Sequence, residues 1–215
     1  LPFSGFIESR AGELRVEVLL TAPALAGRLM VRADLGADVV EFDLRDGKLA
    51  PTPWRELLAA LAPAELLALD TVSAEAIQIS GTATVGAGRL RAAKAEASLP
   101  ALVWRAAGQQ ADLAAVKLEF GAEAEGRWQL AARTAAMAWQ RDELAAGLTD
   151  LDLVVEPGTA ELRLGGGRAV LAGTELQVQG SATARWSDSL AAATVEAALR
   201  LESADRSDWS LAAPC

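Results

Sequence analysis

The sequence contains no histidine, no tyrosine and no asparagine, and only one cysteine. Without histidine, Ser–His and Cys–His nucleophilic catalysis are excluded, and nearly every zinc site with them. The lone thiol, Cys215, cannot close an internal disulfide, so cysteine usage leaves the redox compartment open. The formal charge is -9. That argues against nucleic acid, which needs a basic face, and against simple electrostatic docking on anionic headgroups. No apolar run approaches the roughly 20 residues of a membrane span. The longest in the helical region, Leu57–Ala64, is bounded by Glu56 and Glu65. Leu1 is not followed by a basic n-region or a cleavage site, so any signal peptide is expected to have been removed or to lie outside this stretch.

What is abundant is alanine, glycine, leucine and arginine, a bias of the kind left by a GC-rich bacterial genome. At 215 residues and 52% hydrophobic content, the chain is long enough to bury a core. Alanine carries little apolar area, so burial per residue is modest.

One motif is written twice. Ile77-Gln78-Ile79-Ser80-Gly81-Thr82-Ala83-Thr84 returns as Leu176-Gln177-Val178-Gln179-Gly180-Ser181-Ala182-Thr183. After a turn, Leu90–Leu99 returns as Leu190–Leu199, giving an internal repeat of 77–99 and 176–199. Ile77, Ile79, Gly81, Ala83 and Val85 fall in one phase, and Gln78, Ser80, Thr82 and Thr84 in the other. Period two marks a half-buried strand, and two arms around Gly86-Ala87-Gly88 mark a hairpin.

The same alternation predicts a meander over 6–45, with strands at Glu13–Leu20, Gly27–Asp34 and Asp38–Arg45 separated by Gly5, Gly12, Gly27, Gly36 and Gly47. Further strands are expected at Ala101–Ala106, Asp112–Glu123, Leu148–Val155, Ala160–Leu164, Arg168–Gln179, Ser181–Trp186 and Thr194–Glu202. Pro157-Gly158 and Gly165-Gly166-Gly167 read as turns between them. Residues 128–146 fit two patterns. Trp128, Leu130 and Ala132 suit a strand, and Trp128, Ala132, Ala135 and Trp139 also share a helical face; the flanking alternation favours strand. One helix is expected at about 52–69, capped by Thr52, entered at Pro53 and kinked at Pro63. Its stripe of Trp54, Leu57, Leu58 and Leu61 needs the sheet as partner. No linker interrupts the chain, so 1–215 reads as a single β-rich domain: a mainly β, extended, curved antiparallel sheet of repeated hairpins, as groove or open sandwich, with that helix on it.

Chemistry-bearing constellations are few. Gly86-Ala87-Gly88 lacks the third glycine and helix of a dinucleotide loop, and Gly165–Gly167 lacks the lysine and hydroxyl of a phosphate loop. Asp150 and Asp152 lie two apart on one side of an expected strand, where they could hold Ca²⁺ or act as an acid/base pair. A solvated face opposite Leu151 and Leu153 is the favoured account of them, and the same holds for Glu123 and Glu125. The six tryptophans, Trp54, Trp104, Trp128, Trp139, Trp186 and Trp209, could stack on sugar rings or meet acyl chains if exposed, but more often fill cores and sheet rims. No metal or cofactor is expected.

In Ile77–Thr84 and Leu176–Thr183, with Leu148–Val155 and Glu161–Gln179, the chain resembles the AsmA-like, TamB and YdbH group of bacterial envelope proteins. The likeness covers roughly 74–212 as pattern. It implies a curved β-sheet whose apolar groove carries phospholipid acyl chains between membranes, in the periplasm or cell envelope. It also implies membrane-associated envelope partners and an anchor in a segment absent here. The lipid-facing positions would be Ile77, Ile79, Val85, Val116, Leu118, Leu176 and Val178, with Trp54, Leu57, Leu58 and Leu61 covering the groove. The expectation is a non-enzymatic lipid-binding or lipid-conducting protein. The alternative is a structural β-repeat scaffold or secretion-machinery module whose apolar side is closed as core. A carboxylate-dependent hydrolase is disfavoured by the missing histidines.

Overall fold

The period-two alternation is realised as antiparallel strands almost throughout. The computed structural model describes residues 3–22, 25–50, 71–74, 77–106, 108–141, 144–171, 174–187, 193–203 and 208–214. Among them are fourteen strands: β1 Phe3–Arg10, β2 Glu13–Thr21, β3 Leu25–Asp34, β4 Val39–Leu49, β5 Thr71–Ala74, β6 Ile77–Gly86, β7 Arg89–Ala106, β8 Gln109–Glu123, β9 Trp128–Arg141, β10 Leu144–Glu156, β11 Thr159–Leu171, β12 Thr174–Arg185, β13 Thr194–Ser203 and β14 Asp208–Pro214. Except for β5, which pairs with β7, each strand neighbours the next along one path from β1 to β14 that does not close on itself. The fold is mainly β, an open antiparallel sheet of hairpins. The expected helix at 52–69, with Trp54, Leu57, Leu58 and Leu61, lies outside the described residues. No helix among those described is long and apolar enough to cross a membrane.

The chain forms two compact units. The first comprises Leu1–Leu61, Glu75–Leu99 and Leu118–Leu130; the second comprises Ala62–Ala74, Pro100–Lys117 and Ala131–Cys215.

Turn chemistry explains where most strands end. Ala11-Gly12 and Ala87-Gly88 both take positive φ at two successive residues, the left-handed pair whose twist matches a two-residue hairpin. Pro157 followed by Gly158 at φ 81° has the signature of a type II turn. At 35–38 the Asp34 carboxylate accepts the amides of Gly36 and Ala37 at 2.9 and 3.0 Å, folding the loop back on itself. Glu123 and Arg127 close a short 3-10 turn with a backbone bond of 2.8 Å and an ion pair of 3.1 Å.

Of residues 128–146, those described are strand: Trp128–Arg141 form β9 and Leu144 opens β10. Alanine's helix propensity is overridden by the ladder, as tertiary context commonly does. Three expectations fail. Gly165-Gly166-Gly167 is no turn but the middle of β11, where the register against β12 shifts between Leu164 and Arg168. The expected strand Arg168–Gln179 is therefore two, with Leu171 pairing Thr174. Gly5, Gly27 and Gly47 sit inside β1, β3 and β4 rather than between strands. At Gly47 the reason is close approach: a Cβ there would lie 2.5 Å from Ile79 Cγ1 and 2.7 Å from the Ile79 carbonyl oxygen. Asp46, at φ 51°, takes up the extra residue of a bulge that β4 makes against both β3 and β6.

Candidate functional site

Paired residues of an antiparallel ladder project to the same side, so the register sorts side chains directly. In the first unit, rows run Ile7–Val16–Val31–Phe42–Ala83–Ala93 and Gly5–Val18–Leu29–Leu44–Gly81–Ala95 across β1, β2, β3, β4, β6 and β7. Neighbouring rows add Leu14, Ala33, Val40 and Val85 at one end and Leu25, Leu49 and Ile77 at the other. No charged residue takes a paired position on this side. The opposite side carries rows such as Glu8–Arg15–Arg32–Glu41–Thr84, with ion pairs Arg28–Glu17 at 3.5 Å and Arg45–Asp43 at 2.6 Å. The hydrogen bond from Arg45 to Asp43, helped by the carboxylate's charge, holds that guanidinium above its ordinary arginine range. Arg15 reaches over the buried Met30, with Nη2 at 3.4 Å from its sulfur, and shuts its own Nε from water without a partner.

The second unit repeats the arrangement. Rows run Leu153–Leu162–Ala182–Ala197, Leu151–Leu164–Gly180–Leu199 and Ala146–Ala169–Leu176. Asp150, at φ 54°, absorbs a residue so that Leu148 and Leu151, three apart, serve the same side. The other side is polar, with Asp152–Arg163–Ser181 and Glu161–Thr183–Glu196 in register. Its ion pairs Arg133–Asp152, Arg163–Glu161 and Arg185–Glu196 span 3.2 to 3.4 Å between exposed groups, each contributing a few tenths of a kcal/mol to about 1.

Little of either apolar side is shut from solvent. Among the described residues the buried apolar side chains are Ala22, Met30, Ile77, Leu99, Ala111, Val116, Ala131 and Val178. Ile7 is 73% exposed, and Leu90 and Leu199 are 46% exposed each. The expected lipid-facing positions distribute accordingly. Ile77, Ile79 and Val85 share the apolar side of the first unit, with Ile77 buried and the other two half-buried. Leu176 and Val178 share that of the second unit. Val116 is buried and Leu118 half-buried on β8, two apart, just past Ala115 at φ 52°. Val116 falls in the second unit and Leu118 in the first.

Asp150 and Asp152 do not form the regular pair expected of a strand. The left-handed backbone of Asp150 interrupts the alternation, and Asp152 is tied to Arg133. Glu123 is paired with Arg127. Among the described residues no group of three or more Cys, Asp or Glu is placed to hold a metal ion.

Among the described residues, two depressions lie on the polar sides. In the first unit, rows Met30–Asp43–Thr82 and Arg32–Glu41–Thr84 line a cavity of about 230 Å³, below the roughly 300–1,000 Å³ usual for small-molecule sites. In the second unit a cavity of about 430 Å³ is lined by Trp139, Gln110, Asp112, Ala145, Gly147, Arg168, Val170 and Glu175, among others. Sequence reasoning marked Trp139 as a candidate for stacking but not its neighbours, which come from five strands and meet only through hairpin register. The adjacent small residues Ala145, Ala146 and Gly147 were the available signal for a hollow.

In comparisons with known proteins, no family model matches the chain, and neither a curated protein nor a solved structure matches it.

Proposed function

We propose that the protein is a non-enzymatic binder of lipid acyl chains, a bacterial envelope protein of the AsmA-like, TamB and YdbH kind that holds or conducts phospholipid along its apolar sheet sides. The observation carrying this reading is the charge-free side of the first unit, which runs unbroken across six strands and yet is only half-buried. Soluble monomers seldom expose contiguous apolar patches beyond a few hundred Å² unless something binds there. An acyl chain needs continuous contact and asks for no hydrogen-bond partner, which a side of Leu, Val, Ile and Ala supplies. The ion-paired opposite side stays in water. Such binding requires no catalytic group, and membrane-associated envelope proteins are its natural partners.

The test is native mass spectrometry of the purified protein, with lipid extraction of the same sample. Bound phospholipid is expected in the unmodified chain, and less in Val85→Asp and Leu176→Asp. Both positions are half-buried, so an ionised carboxylate there desolvates against acyl chains at high cost while the strand can still form. Thr82→Asp, on the polar side, is the control and should leave occupancy unchanged. A bare chain mass that also takes up nothing from phosphatidylethanolamine vesicles overturns the proposal in favour of a structural scaffold.

A further inference from the structure

The 430 Å³ depression of the second unit points away from the apolar side and is unlike it chemically. Its floor is made by small residues of β10. A Cβ built at Gly147 meets nothing within 4 Å, so the space above that backbone is open. Ala145 stands opposite Val170, and Gly147 opposite Arg168, while Val170 in turn faces Glu175 on β12. Trp139, half-buried, lines the same hollow from β9.

The polar groups around this apolar floor are already held in place. Arg105 Nε donates to Gln110 Oε1 at 3.0 Å, and Gln110 Nε2 donates to both oxygens of Asp112 at 3.0 and 2.9 Å. Arg168 Nη1 stands 3.3 Å from Glu175 Oε1. Each charged group thus has a partner of opposite charge or an amide. A ligand bearing its own charge would have to break one of these pairs to be matched. A hydroxyl need not, because each carboxylate oxygen keeps a further lone pair and the guanidinium further N–H donors. Groups ordered before binding also lower its entropic cost.

We propose that this depression is a saccharide-binding site. Trp139, Ala145 and Val170 would receive the C–H face of a neutral pyranose, while Asp112, Glu175 and Arg168 would take its hydroxyls. An apolar, partly aromatic surface ringed by fixed donors and acceptors matches a ring whose faces are C–H and whose edge is O–H. The volume accommodates a mono- or disaccharide. This site is independent of the acyl-chain reading, since it lies on the opposite side of the sheet.

The test is saturation-transfer NMR of the full chain with glucose, N-acetylglucosamine, maltose and cellobiose, with choline and acetate as charged comparisons. Transfer to the C–H protons of at least one sugar is expected, with none to choline or acetate. Trp139→Ala should weaken that sugar about tenfold, roughly 1.4 kcal/mol. Gly147→Leu fills open space on a strand and should abolish binding with the circular dichroism spectrum and melting unchanged. Val85→Asp should leave sugar binding intact, so failure of the lipid proposal and of this one can be told apart. Silence from all four sugars, transfer retained in Gly147→Leu, or transfer to choline or acetate alone overturns it.

Discussion

Ile77 and Ile7 lie on the same apolar side of the first unit, but Ile77 is 2% exposed and Ile7 73% exposed. The same substitution, isoleucine to alanine, therefore measures how far that side is closed in solution. It removes three carbons, worth about 2.4 kcal/mol of transfer free energy if all were buried. At Ile77 the residual cavity adds to this, giving a loss of about 3–4 kcal/mol, within the range measured for such core truncations. For a domain of this size that corresponds to a fall in melting temperature of roughly 6–16 °C. At Ile7 only about a quarter of the side chain is withdrawn from water, so the loss should be about 0.6 kcal/mol or less, near 2 °C. Urea unfolding followed by circular dichroism, on protein stripped of lipid, gives both values. If Ile7→Ala costs as much as Ile77→Ala, the apolar side is covered in solution and the open-face reasoning is refuted. If neither costs anything, Ile77 is not packed as described.

Gly47→Val should destabilise the first unit by more than about 2 kcal/mol, because the new Cβ would meet Ile79 backbone as well as side chain; an unchanged urea midpoint would contradict the close approach of β4 and β6. Thr134, buried on β9, donates its hydroxyl to the Ala114 carbonyl at 2.7 Å, with the Ala136 carbonyl as a second acceptor at 3.0 Å. Thr134→Val keeps the shape and removes the donor, so a loss of about 1–2 kcal/mol is expected in the same assay, and a neutral result would show the hydroxyl to be satisfied by water instead.

Strand identity was legible because alternation survives mutation to any residue of the right polarity. Glu13–Leu20, Gly27–Asp34 and the hairpin arms at 77–85 and 176–183 all lie on the strands expected of them. Glycine was the ambiguous letter. At Gly12, Gly88 and Gly158 it provides the positive φ of a turn. At Gly47 it lets another strand approach, and at Gly167 a Cβ would meet the Gly147 carbonyl oxygen at 2.8 Å. Nothing local distinguishes these uses, since both place glycine beside apolar, alternating residues. The Trp139 depression was illegible for a different reason. Its residues are spread from 110 to 175, and only the pairings Ala145–Val170, Gly147–Arg168 and Val170–Glu175 bring part of it together.

The repeat itself shows what is being conserved within the chain. In β6 and β7, Gly81 faces Ala95. Aligning the two copies by sequence would set Gly180 opposite Val195, yet Gly180 faces Leu199, four residues further on. An even shift leaves every side chain on its side of the sheet, whereas an odd one would turn Glu196 and Arg200 into the apolar rows. The two copies therefore share a surface chemistry without sharing a register. Their common glycine makes room for the same kind of neighbour in both copies, the carbonyl oxygen of the residue before its partner: Lys94, 2.7 Å from a Cβ at Gly81, and Ala198 at Gly180. A function carried by alternation alone, such as contact with acyl chains, tolerates that shift. A function carried by particular atoms, such as recognition of a sugar by Asp112, Arg168 and Glu175, does not, because a shift of β11 against β12 would part Val170 from Glu175. The apolar sides should therefore accept many conservative substitutions, and the Trp139 depression few.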